Sequence, residues 1–344
     1  MSSFVEEKHY IPFKSIERGI IYSIYTGDID NDGSDELLLI GERFAYVLKI
    51  YDLEKKYVEM RQYIPDPANI PDVYVPKGGF IGDVDGDGKQ EIVLAITLGT
   101  GQSYRLSFKN FRVEKKVEIN FKINGMTSGD IDGDGIPEFI IYGDSEGADK
   151  NIMIIKNGEI IGSFLEGLEV FAADIGDIDG DGEKEIVLSL LRSQEGTKQY
   201  FLEAYKFVGD SLQLVFKVPT SREVIKISIE DIDRDGIEEI YVMSAVKVSA
   251  LRFSGSRIDK LWDTPEVLDR TLRDFLSADF DRDNYIETLV VIDNRLTIYE
   301  HGIPESSIEE SIQHRGFTCA DRGKIKGEEY IIAGLDTGLR IGKL

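Results

Sequence analysis

Short apolar segments recur along the chain, and each follows an acidic stretch directly. They read LLLI, IVLA, FIIY, IVLS, IYVM, TLVV and YIIA. Near-continuous apolarity over so few residues, with many β-branched side chains, is typical of a strand that is buried on both faces. No stretch has the periodicity of an amphipathic helix, so the pattern predicts an all-β protein.

Alternating segments flank each apolar run and complete a repeating unit. Segments such as YVLKIYD, NIMIIKN and RLTIYEH follow the apolar runs, and pairs such as Asn157-Gly158 and Gly209-Asp210 mark turns. One more short strand, as in GIIYSIYTG, precedes each acidic stretch. Each unit therefore holds about four antiparallel strands, which is the make-up of a β-propeller blade.

The acidic stretches are copies of one nine-residue motif, DxDxDGxxE. Their first aspartates are Asp28, Asp83, Asp130, Asp177, Asp231 and Asp279, and a worn seventh copy keeps only Asp321 and Glu329. Successive first aspartates lie 55, 47, 47, 54, 48 and 42 residues apart, a period typical of propeller blades. We therefore expect a single domain over residues 1–344, an all-β, seven-bladed β-propeller of four-stranded antiparallel blades.

The two ends of the chain complement each other in this arrangement. After the last apolar run only LRIGKL remains, while the N-terminal FVEEKHYIPF precedes the first blade and has no partner of its own. We expect the N-terminal strand to complete the last blade, because this exchange removes an open sheet edge.

The motif has the chemistry of a site for a hard cation. Acidic side chains at places one, three and five converge, place seven offers a backbone carbonyl, and the Glu at place nine can close the shell with both oxygens. Glycine at place six permits a left-handed turn, and Asn284 fills that place in the sixth copy. The Glu lies at place nine instead of twelve and strands flank the loop, which excludes an EF-hand.

Oxygen-only ligands disfavour zinc and copper, and magnesium prefers fewer protein ligands, so calcium is the expected ion, at up to six sites. We expect calcium to hold the loops together. The predicted ligands are Asp28, Asp30, Asp32, Ser34 and Glu36; Asp83, Asp85, Asp87, Lys89 and Glu91; Asp130, Asp132, Asp134, Ile136 and Glu138; Asp177, Asp179, Asp181, Glu183 and Glu185; Asp231, Asp233, Asp235, Ile237 and Glu239; and Asp279, Asp281, Asp283, Tyr285 and Glu287.

Charge is concentrated in these loops. The net charge is −24, and six loops with four carboxylates each account for 24 of the 64 Asp and Glu, which leaves as many acids as the 40 Lys and Arg. Such a chain is not expected to bind nucleic acid broadly. The alternative is a set of acidic turns without metal, in which the uncompensated carboxylates would repel one another.

Two features bear on compartment. No apolar run is long enough to span a bilayer, and Glu6 and Glu7 stand where an export signal needs positive charge. These features favour the cytoplasm, whereas an extracellular location is expected if a leader has been removed.

The loops resemble those of the FG-GAP repeats of integrin α-subunits and of the related VCBS repeats. The resemblance extends from about Gly19 to Gly342 and implies a seven-bladed propeller with calcium between the first and second strands of a blade. The chain lacks the Phe-Gly and Gly-Ala-Pro signatures and is therefore closer to the VCBS-like branch.

Three classes of function are compatible with such a propeller. An enzyme is disfavoured because His9, His301 and His314 are scattered, although a calcium-dependent polysaccharide lyase could use Lys, Arg or Tyr. A glycan-binding, lectin-like propeller should repeat an aromatic in every blade. Three residues before each first aspartate, the chain instead has Tyr25, Phe80, Thr127, Asp174, Ser228, Leu276 and Thr318.

We therefore expect a non-enzymatic protein-interaction scaffold whose partner protein docks on the face opposite the acidic loops. The irregular, proline-rich connection from Pro65 to Gly79 offers Tyr74 as an anchor. The further predicted partner-binding residues are Arg43, Phe44, Arg273 and Arg315. For each of these residues taken singly, an ordinary solvated surface position is the alternative.

Overall fold

The computed structural model describes residues 8–12, 20–41, 44–62, 74–98, 103–109, 112–144, 150–194, 197–255, 257–268, 271–280, 283, 285–293, 295–309, 317–335 and 338–343. Within these ranges the chain forms 28 β-strands, which confirms the all-β prediction. Among the same residues there is no helix long and apolar enough to cross a membrane.

Five sheets contain four antiparallel strands each. The first two hold β2 (Ile21–Gly27), β3 (Glu36–Gly41), β4 (Phe44–Asp52) and β5 (Tyr57–Gln62), and β6 (Tyr74–Gly82), β7 (Glu91–Leu98), β8 (Ser103–Lys109) and β9 (Arg112–Ile119). The next two hold β18 (Lys226–Glu230), β19 (Glu239–Met243), β20 (Val248–Phe253) and β21 (Ile258–Asp263), and β22 (Leu272–Ala278), β23 (Glu287–Ile292), β24 (Arg295–Glu300) and β25 (Ile303–Glu309). The fifth holds β1 (Lys8–Pro12), β26 (Phe317–Ile325), β27 (Glu328–Leu335) and β28 (Gly338–Lys343).

The remaining strands form one eight-stranded sheet. It holds β10 (Lys122–Gly129), β11 (Glu138–Asp144), β12 (Ile152–Lys156), β13 (Glu159–Phe164), β14 (Leu168–Gly176), β15 (Glu185–Gln194), β16 (Thr197–Val208) and β17 (Ser211–Thr220). Its two halves are joined where Asp144 of β11 pairs with Glu169 of β14. The prediction of seven separate four-stranded blades is therefore wrong, because backbone pairing leaves five separate blades and merges two neighbouring repeats into one sheet.

The N-terminal strand completes the last sheet, as predicted. β1 runs antiparallel to β28 over its whole length, from Lys8 opposite Gly342 to Pro12 opposite Gly338. Ile11 of β1 is only 2 % exposed and packs with Leu339 and Ile341 of β28. The rest of the N-terminal segment lies outside the described residues.

The sheets form a closed ring. The first strands of the repeats contact one another in chain order, and β26 of the last repeat contacts β2 of the first. Ser34 and Asp35 of the first acidic loop fasten this closure, since the Lys324 N–H donates to Asp35 Oδ2 over 2.6 Å and the Lys326 N–H to Ser34 Oγ over 2.9 Å. The core lies between sheets, where clusters combine side chains from neighbouring repeats.

The second strand of each repeat is the buried one, as its apolar run predicts. All six residues of β3 are buried, as are all six of β23 and all five of β19. The six acidic loops connect first strands to these second strands, so the ends of the first strands mark one face of the ring. The worn seventh copy forms a continuous β26–β27 hairpin with a turn at Lys326–Gly327 and no acidic loop.

Candidate functional site

The first aspartate of each of the first five loops accepts hydrogen bonds from the loop backbone. In the third loop, Asp130 Oδ1 accepts from the N–H groups of Gly133 (2.7 Å) and Asp134 (3.1 Å), and Oδ2 accepts from Gly135 (2.8 Å). Gly135 has φ of +86°, a conformation that glycine adopts without steric cost. The glycine at place six therefore has the role that the sequence predicts.

The glutamate at place nine is buried beneath its loop. Its Oε2 accepts the backbone N–H of place two in every copy, for example from Ile131 to Glu138 over 2.9 Å and from Ile178 to Glu185 over 3.0 Å. Both glutamates are 0 % exposed. Burial raises the pKa of Glu185 to about 7, because removal from water disfavours the charged form of a carboxyl group. The charged form therefore needs a positive charge close by.

The carboxylates of a loop converge on one point. In the first five loops, oxygens of three acidic side chains lie within 4.8 Å of one another, as for Asp130, Asp132 and Glu138. This oxygen-only set fits a calcium ion, which the place-one, -three, -five and -nine carboxylates and the place-seven carbonyl would hold. At the sixth loop, residues 281, 282 and 284 lie outside the described part of the chain.

Among the side chains that the structure describes, a basic residue of the third strand enters four of these clusters, a feature that the sequence analysis missed. Lys49 Nζ lies 2.5 Å from Asp30, 2.9 Å from Asp32 and 2.8 Å from Glu36. Lys156 Nζ lies 2.5 Å from Asp132, 2.8 Å from Asp134 and 2.7 Å from Glu138. We call Lys49, Lys156, Lys206 and Arg252 the strand cations.

The other two strand cations repeat this geometry. Lys206 pairs with Asp181 and lies 3.3 Å from Glu185 and 3.4 Å from Asp179. Arg252 donates from Nε to Glu239 over 2.6 Å and from a terminal nitrogen to Asp233 over 2.9 Å. Each therefore bridges the exposed aspartates of its loop to the buried glutamate.

The loops hold the strand cations in their charged form. Partial burial opposes the charge of Lys49, but the carboxylates of Asp30, Glu36 and Asp32 outweigh it and raise the pKa of this lysine. The hydrogen bond from Lys156 lowers the pKa of Asp134 in turn. Each cluster thus combines a positively charged side chain with aspartates that it stabilises in their charged form.

A polar channel of about 450 Å³ lies inside the ring, lined mainly by residues of the first strands of the repeats. Asp174 accepts from Thr127 Oγ1 (3.0 Å) and from the Ile229 N–H (2.9 Å). Lys226 Nζ donates to Asp274 over 2.5 Å. These bonds connect neighbouring repeats around the channel.

The channel opens on the face opposite the acidic loops, where Tyr22, Ile225 and Arg273 stand at or just before the beginnings of first strands. Tyr22 is 50 % exposed, Ile225 39 % and the Arg273 side chain 47 %, and all three line the channel. We call these three residues the channel rim. An exposed tyrosine, isoleucine and arginine at one opening have the composition of a protein-docking surface.

The predicted partner-binding residues are distributed differently. Arg273 belongs to the rim, where it lies 3.2 Å from Asp293. Phe44 is buried, because its ring packs against Gly41 and Tyr46 in the core, so it is not part of a docking surface. Arg43 and Arg315 lie outside the described residues, as do most of the Pro65 to Gly79 connection and the side chain of Tyr74.

Comparison with solved structures shows the β-propeller fold. The chain is similar to BBS1N in complex with ARL6DN, soaked with lead, at a TM-score of 0.68, with 12 % identity over 97 % of each chain. The mercury-soaked form of that complex gives a TM-score of 0.66, with 13 % identity over 98 % of this chain and 97 % of the other. A chain of the Chaetomium thermophilum Polycomb Repressive Complex 2 bound to GSK126 gives a TM-score of 0.63, with 7 % identity over 98 % of each chain. Neither the protein-family models nor the curated proteins include a match.

Proposed function

We propose that this protein is a non-enzymatic propeller scaffold that binds another protein at the channel rim. The observation that carries the proposal is the exposure of Tyr22, Ile225 and Arg273 at one opening of the channel. A few aromatic and arginine side chains that become buried on binding supply most of the binding energy in protein interfaces, and Tyr22 and Arg273 are of these types. The acidic loops are on the other face, where their repeated form offers a partner little to distinguish one repeat from the next.

The comparisons support this proposal at the level of the fold. A propeller of similar shape, BBS1N, is in complex with the protein ARL6DN. Another similar chain is part of a multi-protein assembly. Because the identities are 12 % and 7 %, the partner of this chain is not inferred from theirs.

We also propose that the acidic loops bind calcium and that the ion stabilises the ring. The support is the convergence of carboxylate oxygens within 4.8 Å in the first five loops. The resemblance to FG-GAP and VCBS repeats favours the same ion. Isothermal titration of the metal-stripped protein with calcium, with magnesium as the comparison ion, tests this, and absence of calcium binding would reject it.

The scaffold proposal is tested by a double variant of the rim, Tyr22→Ala with Ile225→Ser. Both side chains are substantially exposed, so the free energy of unfolding should change by no more than about 0.5 kcal/mol for each. Chemical cross-linking and mass spectrometry in lysate of the source organism should identify a protein partner of the parent. The rim variant should lose that partner.

A matched control carries Leu214→Ser and Ile303→Ser, which remove apolar side chains that are 55 % and 67 % exposed on outer strands. This control should keep the partner. If the rim variant keeps the partner as well, docking is elsewhere. If a glycan array binds the parent and no protein does, the lectin alternative replaces the scaffold.

A further inference from the structure

The strand cations occupy one position in the sheet register. Glu185 pairs directly with Lys206 across β15 and β16. The pairs Leu37–Leu48, Phe139–Ile155 and Ile240–Leu251 place Lys49, Lys156 and Arg252 opposite the place-nine glutamates in the same way. A basic residue at this position is therefore part of the repeat and not a chance surface pair, and the pair Ile92–Phe108 places Lys109 opposite Glu91 in the second repeat as well.

We propose that these four loops carry their own cation, so that an ammonium or guanidinium group of the chain offsets part of the negative charge of the cluster and holds the loop in shape without metal. The inference deepens the calcium proposal and rests on the same loops. Calcium binding at any of them then requires the strand cation to leave, since two positive charges at the point where the carboxylates converge would repel each other. The strand cations thus set the calcium affinity of their loops.

Burial explains why the loops need such a group. Glu138, Glu185 and Glu239 are 0 % exposed, and each has one oxygen committed to a backbone N–H of its loop. The strand cation approaches the other oxygen, as Lys156 does at 2.7 Å from Glu138 Oε1. The lysine stems run along the sheet, and only 12 %, 15 % and 18 % of the Lys49, Lys156 and Lys206 side chains are exposed.

The sixth repeat provides a contrast within the same chain. Thr288 pairs with Tyr299, so the register places Glu300, an acid, opposite the glutamate of that loop. The first aspartate there receives a cation from the neighbouring loop instead, since Arg234 lies 2.9 Å from Asp279. The tethered cation on the third strand is therefore a property of particular repeats.

Lysine acylation followed by mass spectrometry tests the inference on the parent protein. With chelator present, Lys156 should react roughly fivefold more slowly than Lys55, in line with exposed fractions of 15 % and 82 %. Excess calcium should speed the reaction of Lys49, Lys156 and Lys206 and leave Lys55 unchanged. If the three lysines react as fast as Lys55 in chelator, they do not occupy the loops and the inference is wrong.

A set of variants gives a second, independent measurement. Lys49→Met, Lys156→Met and Lys206→Met, made singly and together, should lower the melting temperature in chelator and tighten calcium binding by at least about tenfold per loop. Lys55→Met is the matched control, because it removes the same charge from an exposed side chain. An unchanged calcium affinity and melting temperature in all three single variants would overturn the inference.

The two proposals fail in different ways. If the parent binds no calcium but the methionine variants do, the calcium proposal is wrong for the natural chain, and the proposal that the strand cations occupy the loops is supported. If the parent binds calcium while its three lysines are as reactive as Lys55 in chelator, the calcium proposal is supported and the proposal about the strand cations is wrong.

Discussion

At the scale of single residues, the buried glutamate at place nine is the centre of each loop. Glu138 joins three parts of its repeat, because it accepts from the Ile131 N–H, pairs with Lys156 and begins β11. Removal of one partner of a buried ion pair is strongly destabilising, and Lys156 Nζ lies 2.7 Å from this glutamate. The glutamate and the cation therefore act as one unit.

Glu138→Gln should destabilise the protein although it preserves shape. The amide oxygen can still accept from Ile131, but Lys156 loses its most buried partner, and we expect a loss of roughly 1–3 kcal/mol in the free energy of unfolding. Urea denaturation measures this, with the exposed Glu159→Gln on β13 as the control. Equal unfolding midpoints for both variants would contradict the role of Glu138.

A second prediction at the scale of single residues concerns the pH dependence of stability and rests on Asp321, in the channel wall. Burial raises its pKa to about 7, from an ordinary value of 3.8, although the Arg322 N–H and Lys226 act in the opposite direction. The folded protein therefore holds this proton more tightly than the unfolded chain, and stability falls as the pH rises from about 4 to about 7.

Asp321→Asn should remove the part of this pH-dependent loss of stability that arises from Asp321. The variant should match the parent near pH 4 and exceed it above pH 7 by up to roughly 4 kcal/mol, since the shift from 3.8 to about 7 is about three pKa units of about 1.36 kcal/mol each. Thermal unfolding across this range measures the difference, with the exposed Asp210→Asn as the control. A constant difference at all pH values would show that Asp321 does not titrate in this window.

The sequence predicted the loop residues much better than the strand cations, for a geometric reason. The carboxylates of a loop are fixed in spacing because one turn brings them together. The strand cations follow their glutamates by 13, 18, 21 and 13 residues, because the intervening hairpins differ in length. Only the strand register aligns Lys49 with Glu36 and Lys206 with Glu185.

At the scale of elements, β1 is the strand that closes the ring. Its pairing with β28 was predictable because the strand count left one end without a partner. The merging of β10–β13 with β14–β17 was not, since it depends on the approach of two strand ends at Asp144 and Glu169. No sequence pattern encodes such a contact between neighbouring repeats.

Deletion of residues 1–12 should expose the edge of β28 and cause association of the protein. Gly338→Ala is a milder test of the same pairing, because a Cβ there would come within 2.3 Å of the Ile11 carbonyl oxygen. Light scattering and thermal unfolding should show oligomers for the deletion and a lowered melting temperature for Gly338→Ala. A deletion protein that stays monomeric and equally stable would refute this closure.

At the scale of the whole molecule, the two faces of the ring differ in the residues that they present. Acidic loops and strand cations give one face a repeated framework of opposite charges, and hydrogen bonds such as that from the Lys324 N–H to Asp35 fasten the first repeat to the last. The channel rim gives the other face its distinct surface. In the scaffold that we propose, the framework of one face would hold the rim of the other face in place for recognition of a partner.

The central claim is that the chain supplies the cations that hold this ring together. The most direct measurement is thermal unfolding of the parent protein by calorimetry, in chelator and in excess calcium. We predict one cooperative transition in chelator, with calcium raising stability by about 2.7 kcal/mol for each site that is filled at a hundredfold excess over its dissociation constant. A protein that is unfolded in chelator, or that melts there in several separate steps, would contradict the claim.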